Sequence, residues 1–138
     1  MSIGSFSLEI LTPERQFFED EVEALILTTT DGQLTILRGH IPLTAPLMVG
    51  SIRIRKDGQW REAFQSEGFL EVDREGAHVF VQACEWPEDI DTVRAEAAGQ
   101  RARQRLTDPH SQFEVEWTKI ALSRAMNRLR ISHRRGND

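Results

Sequence analysis

The chain is predicted to fold as an all-β N-terminal sandwich of about ten short strands followed by a C-terminal antiparallel two-helix hairpin. Three observations predict it. Apolar and polar residues alternate through the first two thirds of the sequence, turn signals break that alternation at close spacing, and the period changes to a helical one at Pro87. The expected domains are 1–86 for the sandwich and 87–138 for the hairpin.

The strands follow from the alternation. Phe6, Leu8 and Ile10 alternate with Ser7 and Glu9, as in a half-buried strand. Thr12-Pro13-Glu14 turns the chain, and a second alternation runs through Val22, Ala24 and Ile26. Asp31-Gly32 is a turn signal with apolar residues on both sides. Leu34 and Ile36 follow, then a corner at Gly39-His40-Ile41-Pro42. Leu43 to Leu47 contains a further proline and is expected to be irregular. Ile52 and Ile54 form a hairpin with Trp60 to Phe64 across Lys56-Asp57-Gly58, and Phe69 to Val72 forms another with Ala77 to Val81 across Asp73-Arg74-Glu75-Gly76.

The helices follow from the change of period. Pro87-Glu88-Asp89-Ile90-Asp91 has the composition of a helix start, with Asp89 or Asp91 as N-cap. From there to Leu106 alanines recur at helical spacing, with Val93, Ala97 and Gln100 or Ala95, Ala98, Ala102 and Leu106 as the candidate inward stripe. Thr107-Asp108-Pro109-His110 breaks the helix. A second runs from about Phe113 to Ile131, with Trp117, Ile120, Ala121, Ala125 and Leu129 along one stripe. An alanine seam buries little apolar area, at roughly 25 cal/mol per Å², so the hairpin is expected to be weakly closed.

Charge divides the 138 residues as the period does. Residues 90–138 hold 10 Lys and Arg against 6 Asp and Glu, a net +4, while the remainder is −9. The basic residues of the tail are arginines apart from Lys119, and arginine pairs bidentately with carboxylates and phosphates. Arg94, Arg101 and Arg105 are spaced by seven and four, and Arg124 and Arg128 by four, so each set recurs near one helix face.

Little in the sequence points to catalysis. There is no phosphate-binding P-loop, no GxGxxG and no GxSxG nucleophile elbow. The single cysteine, Cys84, reads as a small buried hydrophobe. His40, His78, His110 and His133 lack metal-ligand spacing, so no metal site is expected. No signal peptide or apolar membrane span is expected, and one cysteine suits a reducing compartment. A binding protein is therefore the leading class. A nucleic-acid module using the basic hairpin is the alternative, opposed by the acidic body and by the scarcity of stacking aromatics beyond Trp60 and Phe64.

The segment DGQLTILRGHIPLTAPL, Asp31 to Leu47, resembles the GELGILPGHAPL-type segment of the ε subunits of F-type ATP synthases. The second helix, Ala121 to Leu129, looks like the closing helix of such subunits from Bacillus-like bacteria, and the order of domains agrees along essentially the whole chain. The resemblance implies a non-catalytic subunit of the central stalk of a proton- or sodium-translocating synthase. Its sandwich would dock on the γ subunit and the c ring, at the cytoplasmic face of a bacterial membrane. The ring-contact residues carried over are Asp31, Gly32, Gln33, Gly39, His40 and Pro42. Its hairpin would extend toward the catalytic α and β subunits to suppress ATP hydrolysis, and in some members binds ATP when closed. The family's I/L-D-x-x-R-A motif falls on Ile90-Asp91-Thr92-Val93-Arg94-Ala95, joined by Glu85, Arg124 and Arg128, with Arg101 a further candidate. No cofactor is required and ATP is a possible regulatory ligand. Thr35, Arg38 and Gln33 depart from the family's usual glycine, proline and glutamate, which bears on the ring contact.

Overall fold

The structure, a computed structural model, describes residues 4–107 and 115–133. The chain divides into two compact units, Met1–Glu85 and Trp86–Asp138.

The first unit holds ten strands: β1 (Phe6–Leu11), β2 (Gln16–Val22), β3 (Ala24–Thr29), β4 (Gly32–Leu37), β5 (Leu43–Leu47), β6 (Gly50–Lys56), β7 (Gln59–Gln65), β8 (Gly68–Asp73), β9 (Gly76–Val81) and β10 (Cys84–Glu85). Their order is β10-β7-β6-β3-β5-β8-β9-β1-β2, with β4 on the other edge of β3. All pairs are antiparallel except β1 with β9. Strand β3 is the corner of the sandwich. One edge takes β4 along its length; the other takes β6 at Ala24–Ile26 and meets β5 only at Thr29↔Leu47. An ion pair between Asp20 on β2 and Lys56 on β6 brings the far strand of the path back to the first layer.

The core is the set of inward positions that alternation selects. Leu8, Ile10, Leu70 and Val79 from one layer and Leu25, Leu27, Ile36 and Ile52 from the other are fully or almost fully buried. The expected hairpins form. Asp57 and Gly58 both take left-handed backbone, φ 52° and 74°, as a tight two-residue hairpin turn needs.

Two strand expectations are corrected. Leu43–Leu47 is not irregular but is strand β5, paired along its length with β8. A proline is tolerated there because the other edge of β5 bonds β3 at one position alone, so a missing N–H costs no ladder. The alternation through Val22 and Ala24 belongs to two strands, with β2 beginning at Gln16 and the chain turning at Glu23. In β2 only Val22 is fully buried and the other apolar residues, Phe17 and Phe18, are adjacent and half-buried, so no alternation marks the strand.

Where β3 and β5 meet only once, a side chain does the joining. Gln65 is fully buried; its Nε2 donates to Thr28 O at 2.9 Å and Met48 O at 2.5 Å, and its Oε1 accepts from Thr28 N at 3.4 Å. These bonds satisfy a polar group that would otherwise be costly to bury.

In the second unit a single 3-10 turn, Pro87–Asp89, precedes α1 (Thr92–Leu106) and α2 (Val115–His133). The N-cap of α1 is Asp91, whose Oδ1 accepts from Arg94 N at 3.0 Å. The seam residues of α1 are Ala95, Gly99 and Ala102, close to the second expected stripe; Val93 is 77 % exposed, so the first stripe is wrong. In α2 the buried residues are Thr118, Ala125 and Ile131, while Trp117 is 74 % exposed and Ala121 is exposed. Ala125 is buried as the expected stripe has it, but Thr118 takes the inward place expected of Trp117, because where α2 faces α1 the seam uses small side chains that let the helices approach. The helix breaker at 108–110 and the expected start at Phe113 lie outside the described residues.

Candidate functional site

The I-D-x-x-R-A segment is chiefly structural in its backbone and apolar members. Ile90 is buried, Asp91 caps α1, and Ala95 lies in the seam, its N–H bonded to Asp91 O at 3.0 Å. Arg94 is left exposed on the first turn.

Where that arginine lies relative to the others follows from the crossing of the helices. A Cβ placed on Gly99 would lie 3.5 Å from Ala125 Cβ, which fixes the facing turns. Later residues of α1 meet earlier residues of α2: Ala98, Arg101, Ala102 and Arg105 line a cleft of ≈ 380 Å³ with Trp117, Thr118 and Ala121, so the pair is antiparallel. At about 100° per residue, Arg94, Arg101 and Arg105 lie on one flank of the α1 seam, and Trp117, Arg124 and Arg128 on the flank of the same sense of α2. In an antiparallel pair, flanks of the same sense share a side. Five arginines and an indole therefore lie along one side of the hairpin. Relative to the Gly99–Ala125 crossing, Arg94 and Arg128 are displaced in the same direction, by about 7.5 Å and about 4.5 Å at ~1.5 Å per residue.

This side is electrostatically loaded. Burial, and then the charge of neighbouring Arg128, push the Arg124 guanidinium below its ordinary value. Both effects disfavour the cation, and both would be relieved by an anion. Arg105 and Arg101, exposed in the cleft, extend the positive strip toward the far end of the hairpin. Glu85 belongs to β10 of the first unit.

The six loop residues on the sandwich fall into two groups. Asp31 and Gly32 form the β3–β4 turn, tied by Thr29 Oγ1, which donates to Gly32 O at 2.7 Å, and Gln33 follows on β4. Gly39, His40 and Pro42 form the corner beyond the other end of β4. Gly39 has φ 81°, and His40 N donates to Leu37 O at 3.1 Å. The six residues of β4 separate the groups by about 17–20 Å. The register places the Thr12–Arg15 turn at the Asp31 end and the Asp57–Gly58 and Arg74–Glu75 turns at the His40 end. At the His40 end a cleft of ≈ 480 Å³ is lined by Phe6, Leu37, Arg38, His40, Pro42 and Arg74, among others. No single loop surface contains all six residues.

Two features escaped the sequence. His78 bridges strands: its Nδ1 lies 2.7 Å from Glu9 Oε1 and its Nε2 3.3 Å from Asp73 Oδ2. Partial burial works to lower its pKa, but the two carboxylates outweigh that and hold it above its ordinary value. Asp73, Glu75 and His78 also have donor atoms within 4.8 Å of one another, but Asp73 already accepts from Glu75 N and Gly76 N, which is turn geometry. The second feature is an outward apolar row on β5, β8, β9 and β1. Cross-strand proximity of this kind depends on register, which alternation alone leaves open. Cys84 is buried as expected, and burial pushes its thiol up.

Comparison with known proteins accounts for both units. Residues 5–87 match the family model "ATP synthase, Delta/Epsilon chain, beta-sandwich domain", and residues 88–133 match "ATP synthase, Delta/Epsilon chain, long alpha-helix domain". The ATP synthase epsilon chain of Caldanaerobacter subterraneus subsp. tengcongensis is 50% identical over 129 residues, covering 93% of this chain and 94% of that one. The epsilon chain of Bacillus velezensis is 39% identical over 125 residues, covering 91% and 95%. Among solved structures, a chain of the Euglena gracilis mitochondrial ATP synthase shares the fold with TM-score 0.76 at 21% identity, over 89% of this chain and 78% of that one. A chain of the Tetrahymena thermophila mitochondrial ATP synthase central stalk and c ring does so with TM-score 0.67 at 12% identity, over 96% and 99%. The nucleic-acid alternative draws no support from these matches.

Proposed function

Because the chain belongs to the ATP synthase delta/epsilon family, as an epsilon chain and thus a non-catalytic subunit of the rotary complex, we propose that it is a two-state regulator of the rotor. The sandwich stays docked on the γ subunit and the c ring. The hairpin either closes on itself or extends toward the catalytic subunits and suppresses ATP hydrolysis. Membrane association would come through the ring, since no helix among the described residues is long and apolar enough to cross a membrane.

The observation that carries the regulatory half is the strip of five arginines along one side of the closed hairpin. Closing the hairpin brings Arg94 on α1 toward Arg128 on α2, and the like charges oppose closure. A nucleotide triphosphate laid along the strip removes that opposition and binds bidentately to guanidinium groups. Asp91 and Ile90 set the start of α1 and so aim Arg94. A ligand that binds only the closed form stabilises it by RT ln(1 + [L]/Kd). In the extended form the same arginines are freed to meet carboxylates on a catalytic subunit. The proximity of the two displaced groups on β4 is not required: the Asp31 turn supplies a ring contact at one end of the sandwich, and the His40 corner a separate contact at the other.

Calorimetric titration of the full chain with ATP tests this reading. Binding at millimolar nucleotide or tighter is expected, with Arg128→Ala weakening it about tenfold, as loss of one charge-assisted pair should. Absence of a binding heat in the unsubstituted protein at millimolar ATP would remove the nucleotide from the mechanism.

A further inference from the structure

The two sides of the hairpin differ in chemistry. One carries the arginine strip. On the other, Arg103 of α1 reaches across the seam, and its Nη2 donates to Met126 Sδ of α2 at 3.1 Å. Both groups meet solvent: Arg103 is exposed and Met126 is 43 % exposed. At about 100° per residue, Arg103 and Met126 fall on the flanks of their helices opposite to Arg101 and Arg124, so this tie is clear of the strip.

The two partners are mismatched in strength. A guanidinium is a strong, permanently charged donor, and a thioether is among the weakest acceptors a side chain offers. Among the described residues no carboxylate forms an ion pair with Arg103. Met48 is similarly exposed, yet among the described residues no side-chain donor meets its sulfur. What sets Met126 apart is a cation from the other helix held against it.

We infer that Met126 is a site of reversible oxidation by a peroxide, and that its sulfoxide latches the hairpin shut through Arg103. The sulfur attacks one peroxide oxygen: an S–O bond forms, the O–O bond breaks, and the sulfur gives up two electrons. With hydrogen peroxide, the proton of the transferred oxygen passes to the departing one, which leaves as water. The product places an oxygen where the guanidinium already points. A weak contact becomes a charge-assisted hydrogen bond between the helices. Because Met126 is exposed, the added oxygen is not forced into a core, the usual route by which a sulfoxide destabilises. On the two-state reading above, an oxidant therefore favours the closed hairpin and relieves inhibition; that consequence, unlike the latch itself, rests on that reading.

Amide hydrogen exchange of the full chain, read by mass spectrometry before and after hydrogen peroxide, tests the latch. It uses no nucleotide and no other subunit, so it fails or succeeds separately from the rotor reading. Met126 is expected to become the sulfoxide, with exchange across α1 and α2 slowed about threefold, as one exposed charge-assisted bond should slow it. Methionine sulfoxide reductase should restore the original rate. Met126→Leu is expected to abolish the slowing although Met48 still oxidises. Arg103→Ala should keep the oxidation and lose the slowing. The assignment is overturned if Met126 stays a thioether where Met48 is oxidised, or if the oxidised chain exchanges at an unchanged or faster rate. It is equally overturned if Arg103→Ala is slowed as much as the unsubstituted chain.

Discussion

At the residue scale the sandwich is held by a few polar side chains in places where the sheet ladder is thin. Gln65 replaces ladder bonds at the β3–β5 meeting, and His78 ties β9 to β1 and β8 through Glu9 and Asp73. The histidine makes a pH-dependent contribution. Its folded-state pKa is raised, so its stabilisation is complete below the unfolded value near 6.5 and is lost as pH rises through the folded value. The groups facing it are Glu9 on β1, Asp73 and Glu71 on β8, and, one strand further, Glu19 on β2. Thermal melts of the unsubstituted chain and of His78→Gln should therefore differ most below about pH 6 and converge as pH rises past the raised folded value. A constant difference across that range would show that the ring acts by packing alone. None of this was visible in the sequence, where His78 was one of four scattered histidines. Pairing it with Glu9, 69 residues earlier, needs the parallel β1–β9 register.

At the element scale, the features with a local residue signature are legible in the sequence. Asp31-Gly32 and Asp57-Gly58 marked their turns because positive φ has a residue signature, and Asp91 marked a helix start because an N-cap does. What failed depended on neighbours. Leu43–Leu47 was expected to be irregular since proline breaks a ladder, yet one edge of β5 is nearly bare. The α2 stripe is right at Ala125 and wrong at Trp117 and Ala121: the indole is expected inward for its bulk, whereas Thr118 fills that place and Trp117 is left out. Gly99 sharpens that point. A Cβ there would meet Ala125 Cβ at 3.5 Å, an ordinary contact, so alanine fits without separating the helices. Gly99→Ala should stabilise α1 by about 1 kcal/mol through helix propensity. On the two-state reading it should also favour the closed hairpin, tightening ATP binding in the same calorimetric titration. Unchanged or weaker binding alongside a more stable helix would separate closure from ligand affinity.

At the scale of the whole molecule, the division at Glu85 and Trp86 coincides with the change of charge and of period. The acidic unit has its own core of strand residues, and the basic unit has a thin seam. The regulatory reading predicts that a complex reassembled with a chain ending at residue 89 hydrolyses ATP faster than one carrying the full chain. Measured under conditions of low ATP, no increase would mean that the second unit does not inhibit in this complex. The ring and γ contacts should survive the truncation, because every residue proposed for them lies before Glu85.

The separation of the Asp31 turn from the His40 corner has a mechanical side. Strand β4 is paired with β3 along all six of its residues, and the hydrogen bonds of that ladder run across the strand axis. A load entering at one end of the sandwich and leaving at the other therefore pulls along the strands and shears the whole ladder together, instead of unzipping it one bond at a time. The body would behave as a stiff coupling, with its compliance left to whatever joins it at either end.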